Sequence, residues 1–475
     1  MEKTQNKVHT ATAVKDPNVK LSFLERLGYG AGDYAGNLIY SAISAFLLVY
    51  YTNVVGASAA AAASVIAISK FFDGVSDLVM GYIIDRTHTK IGKAKPWIQR
   101  LFLPLAVCNV LMFTVPSSFS STAQLVYMFL TYNLVSTVFY TGINVPYATM
   151  QGMMTTNQYE RGVLGTFRNL LATAGTMTIN TVMYKMTGFF GGGDVYSQRG
   201  WTMTTIVLML IFCGVTVFQL ATTHERVDSY SSDDDSKEEK VSFGKGLKAL
   251  VTNRYWLLLI VMIFGMYFMM STFFGSAAYF AQYILGSTDY YTPVSNALSL
   301  AQILTLFVTP FVMKKVGKRN TALIGAFISG AGFLANGFVG DSVTVVAALS
   351  VIKGIGFGLM GGTMFGMLQD AITYGEWQAG FNHAGMGNAA SSFCMKIGSG
   401  IGTAALGWIL GAGGFNAAEA VQSAAATNAI RIAFNWVPVI TSAISIIVLL
   451  LFDLDKKYAA VAKDLAEGKH KADHQ

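Results

Sequence analysis

The feature that most constrains this chain is a succession of long apolar runs. They fall at roughly 28–52, 57–85, 97–115, 122–150, 162–190 and 200–222, and then at 255–286, 291–313, 320–339, 343–372, 386–412 and 429–453. A helix rises 1.5 Å per residue, so about 20 such residues cross a hydrocarbon core of about 30 Å. The pattern predicts an all-α membrane protein of about twelve transmembrane helices in two groups of six. With 53% hydrophobic and only 12% charged residues among 475, a soluble globular chain is excluded.

The expected organisation is an N-terminal six-helix bundle with a polar tail (1–222), a linker (223–254), a C-terminal six-helix bundle (255–455) and a short tail (456–475). The linker contains Ser231-Ser-Asp-Asp-Asp-Ser-Lys-Glu-Glu-Lys240, a low-complexity stretch that reads as solvated. Met1 to Lys20 is polar and lacks the apolar core of a cleavable signal peptide. Arg86, Lys90, Lys93, Lys95 and Arg100 flank the loop after the second run, and Lys314, Lys315, Lys318 and Arg319 fill the one after the eighth. The loops predicted on the other side, such as Pro116 to Ala123, carry no Lys or Arg. By the positive-inside rule the basic loops, the linker and both termini are cytoplasmic, in a multi-pass protein of the cell membrane. The net charge of +7 therefore reflects orientation in a lipid bilayer, and nucleic-acid binding is a poor reading of it.

The two basic loops occupy the same place in each half, and each contains a Gly-Lys pair. Two parallel halves of six helices are the arrangement of major facilitator transporters, in which a midplane site lies between halves that rock against each other. The basic residues either only orient the chain or also tie helix ends together when the cytoplasmic side is shut.

Asp73 and Asp77 lie inside the second run, near the middle of a membrane. A charged aspartate there costs about 2.5–3.5 kcal/mol, and two of them four residues apart share a helix face and repel. Something cationic belongs between them: Lys70 one turn away, a proton, or a bound ion. Cys108, Cys213 and Cys394 are isolated within runs, so neither a disulfide framework nor a zinc spacing exists. His88 and His383 read as solvated loop residues. No nucleophile and base pair, phosphate loop or metal spacing is present, so the chain is not read as an enzyme and no cofactor is expected.

Six motifs, in order, carry a resemblance. Gly30-Ala-Gly-Asp-Tyr-Ala-Gly-Asn37, Tyr50-Tyr-Thr-Asn-Val-Val-Gly56, Asp73-Gly-Val-Ser-Asp77, Asp85-Arg-Thr-His-Thr-Lys-Ile-Gly-Lys-Ala-Lys-Pro-Trp97, Asn144-Val-Pro-Tyr147 and Asp370-Ala-Ile-Thr-Tyr-Gly-Glu376 resemble the glycoside-pentoside-hexuronide:cation symporter family, from about Leu24 to Leu454. The resemblance implies the major facilitator fold and sugar transport coupled to H+, Na+ or Li+. It places the coupling ion at Asp73, Ser76, Asp77 and Thr141, with a possible Na+ at Asp73 and Asp77. Spacing agrees, since Asp73, Ser76 and Asp77 at i, i+3 and i+4 present oxygens from one face, which hard cations want. The pair could equally hold a proton, because a like charge raises one carboxyl's pKa.

For the sugar, the resemblance points to Asn37, Asn144 and Arg168. Asn37 and Asn144 stand where melibiose-transporting members have aspartates, and asparagine amides both donate to and accept from hydroxyls. Asp33 is either a direct sugar contact or the structural partner of a cationic side chain. Tyr34, Tyr40, Tyr140 and Tyr147 lie within a turn of those asparagines and are candidate stacking rings. The family's two stacking tryptophans align with Ala148 and Gly361, so those platforms are missing. Coupling and gating roles fall to Lys70, Lys396, Asp85, Arg86, Asp370 and Tyr374, with Asp73 or Asp77 as the carboxylate partner that Lys396 requires. The expected function is secondary active import of a small glycoside (an oligosaccharide, a xyloside such as isoprimeverose, a glucoside or a glucuronide) with H+ or Na+, by alternating access and as a monomer. An uncoupled facilitator or exchanger, and a non-transporting membrane sensor, are the alternatives.

Overall fold

The computed structural model describes residues 20–85, 87, 89, 91–155, 158–226, 243–339, 341–381, 383–419, 421–467 and 469–470. Arg86, Lys90, His88, the N-terminal tail to residue 19 and the acidic stretch of the linker lie outside the described residues. Among those described, every regular element is helical and no strand occurs.

The first half contains α1 (Phe23–Val49), α2 (Ala59–Asp85), α3 (Lys95–Met112), α4 (Ser121–Asn133), α5 (Thr141–Met154), α6 (Gln158–Phe190) and α7 (Gln198–Thr222). The second half contains α8 (Phe243–Thr252), α9 (Arg254–Tyr283), α10 (Tyr291–Val316), α11 (Lys318–Phe338), α12 (Val343–Ala379), α13 (Ala384–Ala412), α14 (Ala424–Arg431), α15 (Val437–Leu451) and α16 (Tyr458–Ala466). A π-helical segment, Leu134–Tyr140, joins α4 to α5 without a break, and another, Ile432–Trp436, joins α14 to α15. Helix ends follow local chemistry. Ser22 and Glu25 form a capping box at the start of α1, and Asn253 accepts from Tyr255 and Trp256 at the start of α9. Among the described residues, the linker outside its low-complexity stretch packs against the halves: α8 buries Leu250, and Glu225 accepts from the backbone nitrogens of Lys93, Ala94 and Lys95 at 2.7, 3.1 and 2.8 Å.

Among the described residues nine helices are long and apolar enough to cross a membrane. The helices at 95–112, 121–154 and 158–190 are not among the nine. In α6 the cause is visible, because Arg168, Asn169, Thr173, Thr176, Thr178, Asn180 and Thr181 lower its hydropathy. Several of these face the interior cavity described below.

Packing repeats between the halves. In the first, α1 packs on α6 and α7, α3 on α7, and α2 on α5; in the second, α9 packs on α13 and α15, α11 on α15, and α10 on α12. The halves meet along α2–α13, α1–α9 and α6–α10. Small residues make the α2–α13 seam. A Cβ on Gly407 would fall 2.1 Å from Ala63 Cβ, and one on Gly400 would fall 2.6 Å from Lys70 Cβ, so the backbones approach as only glycine permits. The same logic seats α12, where a Cβ on Gly354 would lie 2.3 Å from Leu298 O and one on Gly356 2.5 Å from Gly325 O.

Hydrogen bonds between the halves gather toward one end. Thr52 and Tyr279 hydroxyls lie 2.8 Å apart, Asn53 donates to Tyr283 at 2.7 Å, Tyr291 donates to Asn180 at 2.9 Å and Asn296 to Thr181 at 2.8 Å. At the end bearing the basic loops, ion pairs instead tie helices within one half. Arg226 pairs with Glu25, Arg26 with Glu160 at 2.9 Å, and Lys318 with Asp370 at 2.6 Å.

Candidate functional site

Among the described residues, two adjoining chambers between the halves hold most of the expected site residues. The first, of about 150 Å³, is walled by α1, α2, the α4–α5 helix, α9 and α13, and contains Lys70, Asp73, Asp77, Thr141, Asn144 and Lys396. Asp73 is 3% exposed. Its carboxylate accepts from Ser136 Oγ at 2.7 Å and Thr137 Oγ1 at 2.5 Å, and Lys70 Nζ stands 3.6 Å away. Asp77 pairs with Lys396 Nζ and accepts from Thr141 Oγ1 at 3.1 Å. Lys396 Nζ also donates to Asp73 O at 3.0 Å, so an ammonium from α13 bridges both turns of α2. Ser76 Oγ donates to Asp73 O at 2.9 Å and to Thr141 Oγ1 at 3.2 Å.

The expected cluster of Asp73, Ser76, Asp77, Thr141, Lys70 and Lys396 is therefore brought together. Ser136 and Thr137 were not anticipated. They reach Asp73 because the π-helical segment 134–140 adds backbone to one turn and swings both hydroxyls toward α2; such segments recur at functional sites. A run of hydroxyls, Ser136-Thr137 followed by Thr141, was the available signal in the sequence. Chemically the pocket offers four carboxylate oxygens and at least four hydroxyls. A hydroxyl that donates to a carboxylate can turn its lone pairs to a cation instead, so this donor set suits a small hard monovalent ion or a proton.

The second chamber, of about 200 Å³, shares Tyr40 and Tyr267 with the first and is lined by neutral groups including Asn37, Ser41, Thr173, Thr176, Asn180 and Gln302. Thr176 Oγ1 sits 2.9 Å from Ser41 Oγ and donates to Asn37 Oδ1 at 3.4 Å. Asn180 Oδ1 accepts from Tyr291, whereas its Nδ2, on a residue 3% exposed, has no partner. Tyr267, Thr176 and Gln302 were not singled out from the sequence, since nothing distinguishes one tyrosine or threonine on an apolar helix from another.

The remaining expected sugar contacts are placed otherwise. Arg168 pairs with Asp33, and its guanidinium lies 5.2 Å from the Tyr147 ring centroid. Of the two readings of Asp33, the geometry is that of the partner of a cation. Tyr147 is 3% exposed, stacks on Tyr29 at 4.8 Å and donates to Tyr29 O at 2.8 Å, so it lines neither chamber. Tyr34 lies 3.2 Å from Thr178 Oγ1, also outside both chambers. Tyr140 and Asn144 line the first chamber rather than the second. Asp85 is the last residue of α2. Asp370 pairs with Lys318, and Tyr374 packs edge-on against Tyr255 at 4.7 Å, both within the second half and away from the seam. His383, expected in solvent, is 6% exposed, with Nδ1 3.1 Å from Phe381 O.

Residues 28–456 match the family described as MFS/sugar transport protein. The chain belongs to that family. This transporter is 34% identical over 448 residues to an isoprimeverose transporter of Lactiplantibacillus pentosus, covering 94% of this chain and 91% of that one. It is 29% identical to a putative glycoside/cation symporter of Escherichia coli (95% and 96% covered) and 27% identical to a glucuronide carrier protein homolog of the same organism (95% and 97%). These relatives match the glycoside-pentoside-hexuronide:cation group that the six motifs resemble. A bacterial homolog of the lysosomal transporter Spinster, solved inward-facing and unoccupied, superposes with a TM-score of 0.68 at 14% identity over 92% of this chain and 97% of that one, which establishes the major facilitator fold alone. Family and structural neighbours are transporters, not enzymes.

Proposed function

We propose that this transporter imports a small glycoside together with H+ or Na+ by alternating access. The observation that carries the reading is the adjacency of two unlike chambers at the contact of the halves: one holds two intramembrane carboxylates, and the other is lined by amides and hydroxyls suited to a sugar. Twelve membrane helices in two six-helix bundles, with both termini cytoplasmic and the monomer as the working unit, complete the proposal. The repeated packing pattern supports it. The likeness to an isoprimeverose transporter favours a xyloside.

Coupling rests on the carboxylates. An ion that relieves their repulsion and displaces the Lys396 ammonium frees α13 to move, so ion and sugar each tighten the other by an equal factor. Hydrogen bonds between the halves gather at the end away from the basic loops, which suits a state closed to the outside and open to the cytoplasm. One observation favours a second reading. Both carboxylates already hold ammonium groups, and a permanent network of Asp73, Lys70, Asp77 and Lys396 would make an uncoupled facilitator.

Reconstitution in liposomes separates the two. Under symport, labelled isoprimeverose accumulates above its outside level when an inward Na+ or H+ gradient is imposed, and its entry carries the ion with it. Entry that only equilibrates, whatever the gradient, would establish the facilitator.

A further inference from the structure

Resting on the glycoside reading, we infer that the second chamber selects an uncharged saccharide and rejects its uronate counterpart. Among the described residues, every side chain that lines this chamber is neutral. Cations do occur nearby, and each is committed. Arg168 pairs with Asp33, and its free face lies over the Tyr147 ring at 5.2 Å. Lys70 and Lys396 belong to Asp73 and Asp77 in the other chamber. A uronate carboxylate entering here would lose its water and meet amides and hydroxyls but no counter-charge, the costly way to bury an ion. A transported cation would add one charge, and it would do so among the carboxylates beyond Tyr40 and Tyr267, the residues common to both chambers.

The neutral groups present suit the hydroxyls of a sugar. Asn180 Nδ2 is a buried donor without a partner on this wall, Thr176 and Ser41 offer hydroxyls that donate or accept, and Gln302 adds an amide from the opposite half. Tyr40 from α1 and Tyr267 from α9 supply ring faces from the two halves, in place of the tryptophans missing at Ala148 and Gly361.

The test uses matched pairs that differ only at C6: methyl β-D-glucoside with methyl β-D-glucuronide, and methyl α-D-galactoside with methyl α-D-galacturonide. Methyl α-D-xyloside and isoprimeverose accompany them. Uptake of each is measured in liposomes holding the purified full-length transporter, with empty liposomes as blank. The expected result is that the neutral member of a transported pair exceeds the uronate at least about tenfold in uptake per unit concentration. Asp33→Asn releases the Arg168 guanidinium, and Gln302→Arg adds one to the chamber by an independent route; either should shrink that ratio by raising uronate uptake. Equal or greater uronate uptake by the unmodified protein overturns the selectivity while leaving glycoside transport standing. A preference that both folded variants leave untouched also overturns it, since charge would not be what selects. Uptake of no sugar of either kind defeats the glycoside reading itself.

Discussion

Lys396 and Lys353 are both lysines on membrane helices of the second half, and they are held in opposite ways. Lys396 lies on a chamber wall against Asp77, with its ammonium also donating to Asp73 O at 3.0 Å. Lys353, on α12, is 0% exposed. Its Nζ donates to Asn336 Oδ1 at 2.9 Å and sits 4.9 Å from the Phe333 and Phe434 ring centroids and 5.6 Å from that of Phe273. No acidic side chain joins this contact set among the described residues. Gly332 makes room for the stem, since a Cβ there would lie 3.0 Å from Lys353 Cγ. The difference teaches which of the two ammonium groups can take part in the proposed coupling. A cation arriving from water can compete with an ammonium for a carboxylate, but it has nothing to exchange with in a box of rings.

The largest effect expected from this comparison is at Asp77. Asp77→Cys removes the anion that Lys396 shares with the proposed ion, so concentrative uptake should disappear while exchange of sugar across the membrane persists. Undiminished accumulation against a gradient would place Asp77 with the structural charges, beside Lys353.

A step down in size, the Asp33–Arg168 pair asks whether an ion pair outside the chambers behaves as scaffold. Removing one partner of a fully buried pair costs about 3–5 kcal/mol, and less where a side chain is 30% exposed, as Arg168 is. Asp33→Leu should therefore lower stability by about 2 kcal/mol, and adding Arg168→Met should restore most of the loss. Thermal unfolding of the purified single and double variants in detergent reads this. If the double variant is no better than the single, the pair is not coupled as drawn.

Much of this was legible in the sequence, for a reason that also marks where legibility stops. Membrane spans are written in local composition, so most apolar runs map onto helices within a few residues, as with 57–85 and Ala59–Asp85, although 343–372 stops seven residues short of the end of Val343–Ala379. A carboxylate in such a run announces itself, and Asp73 and Asp77 were singled out this way, whereas Lys396 came from the family resemblance. Partners are another matter. Asp33 and Arg168 are 135 residues apart, and only packing of α1 on α6 brings them together. Ser136 and Thr137 depend on a π-helical segment that no hydropathy period reports. The rings around Lys353 come from α9, α11 and the α14–α15 junction, indistinguishable in sequence from other membrane phenylalanines.

Those two hydroxyls carry the next prediction. Ser136→Ala and Thr137→Ala each remove one hydrogen bond to Asp73, and a bond to a charged group is worth about 1.5–3 kcal/mol. If both also face the ion, each variant should raise the cation concentration for half-maximal sugar uptake by about tenfold or more, with the sugar's own half-saturation at excess ion little changed. A shift in thermal stability with no shift in ion dependence would make them supports of the carboxylate and nothing more.

The smallest effect is the one that sharpens the contrast from its other side. Lys353→Met keeps all but the last atom of the side chain's length and removes an ammonium whose favourable contacts are one amide oxygen and three ring faces. Cation–π contacts of desolvated ammonium groups are worth about 2 kcal/mol, and the hydrogen bond adds to them. Against this stands the cost of taking the charge out of water, which the methionine no longer carries. Exchanging buried charges for apolar residues of similar volume is often neutral or stabilising. The two sides nearly cancel, so stability should move by no more than about 1 kcal/mol, and gradient-driven uptake should keep its ion dependence. Lys396→Met, in contrast, leaves Asp77 unpaired at the chamber wall and should change that ion dependence even where the protein remains folded. Loss of coupling in Lys353→Met with unfolding unchanged would show that the caged ammonium takes part in transport, and the division drawn between the two lysines would fail.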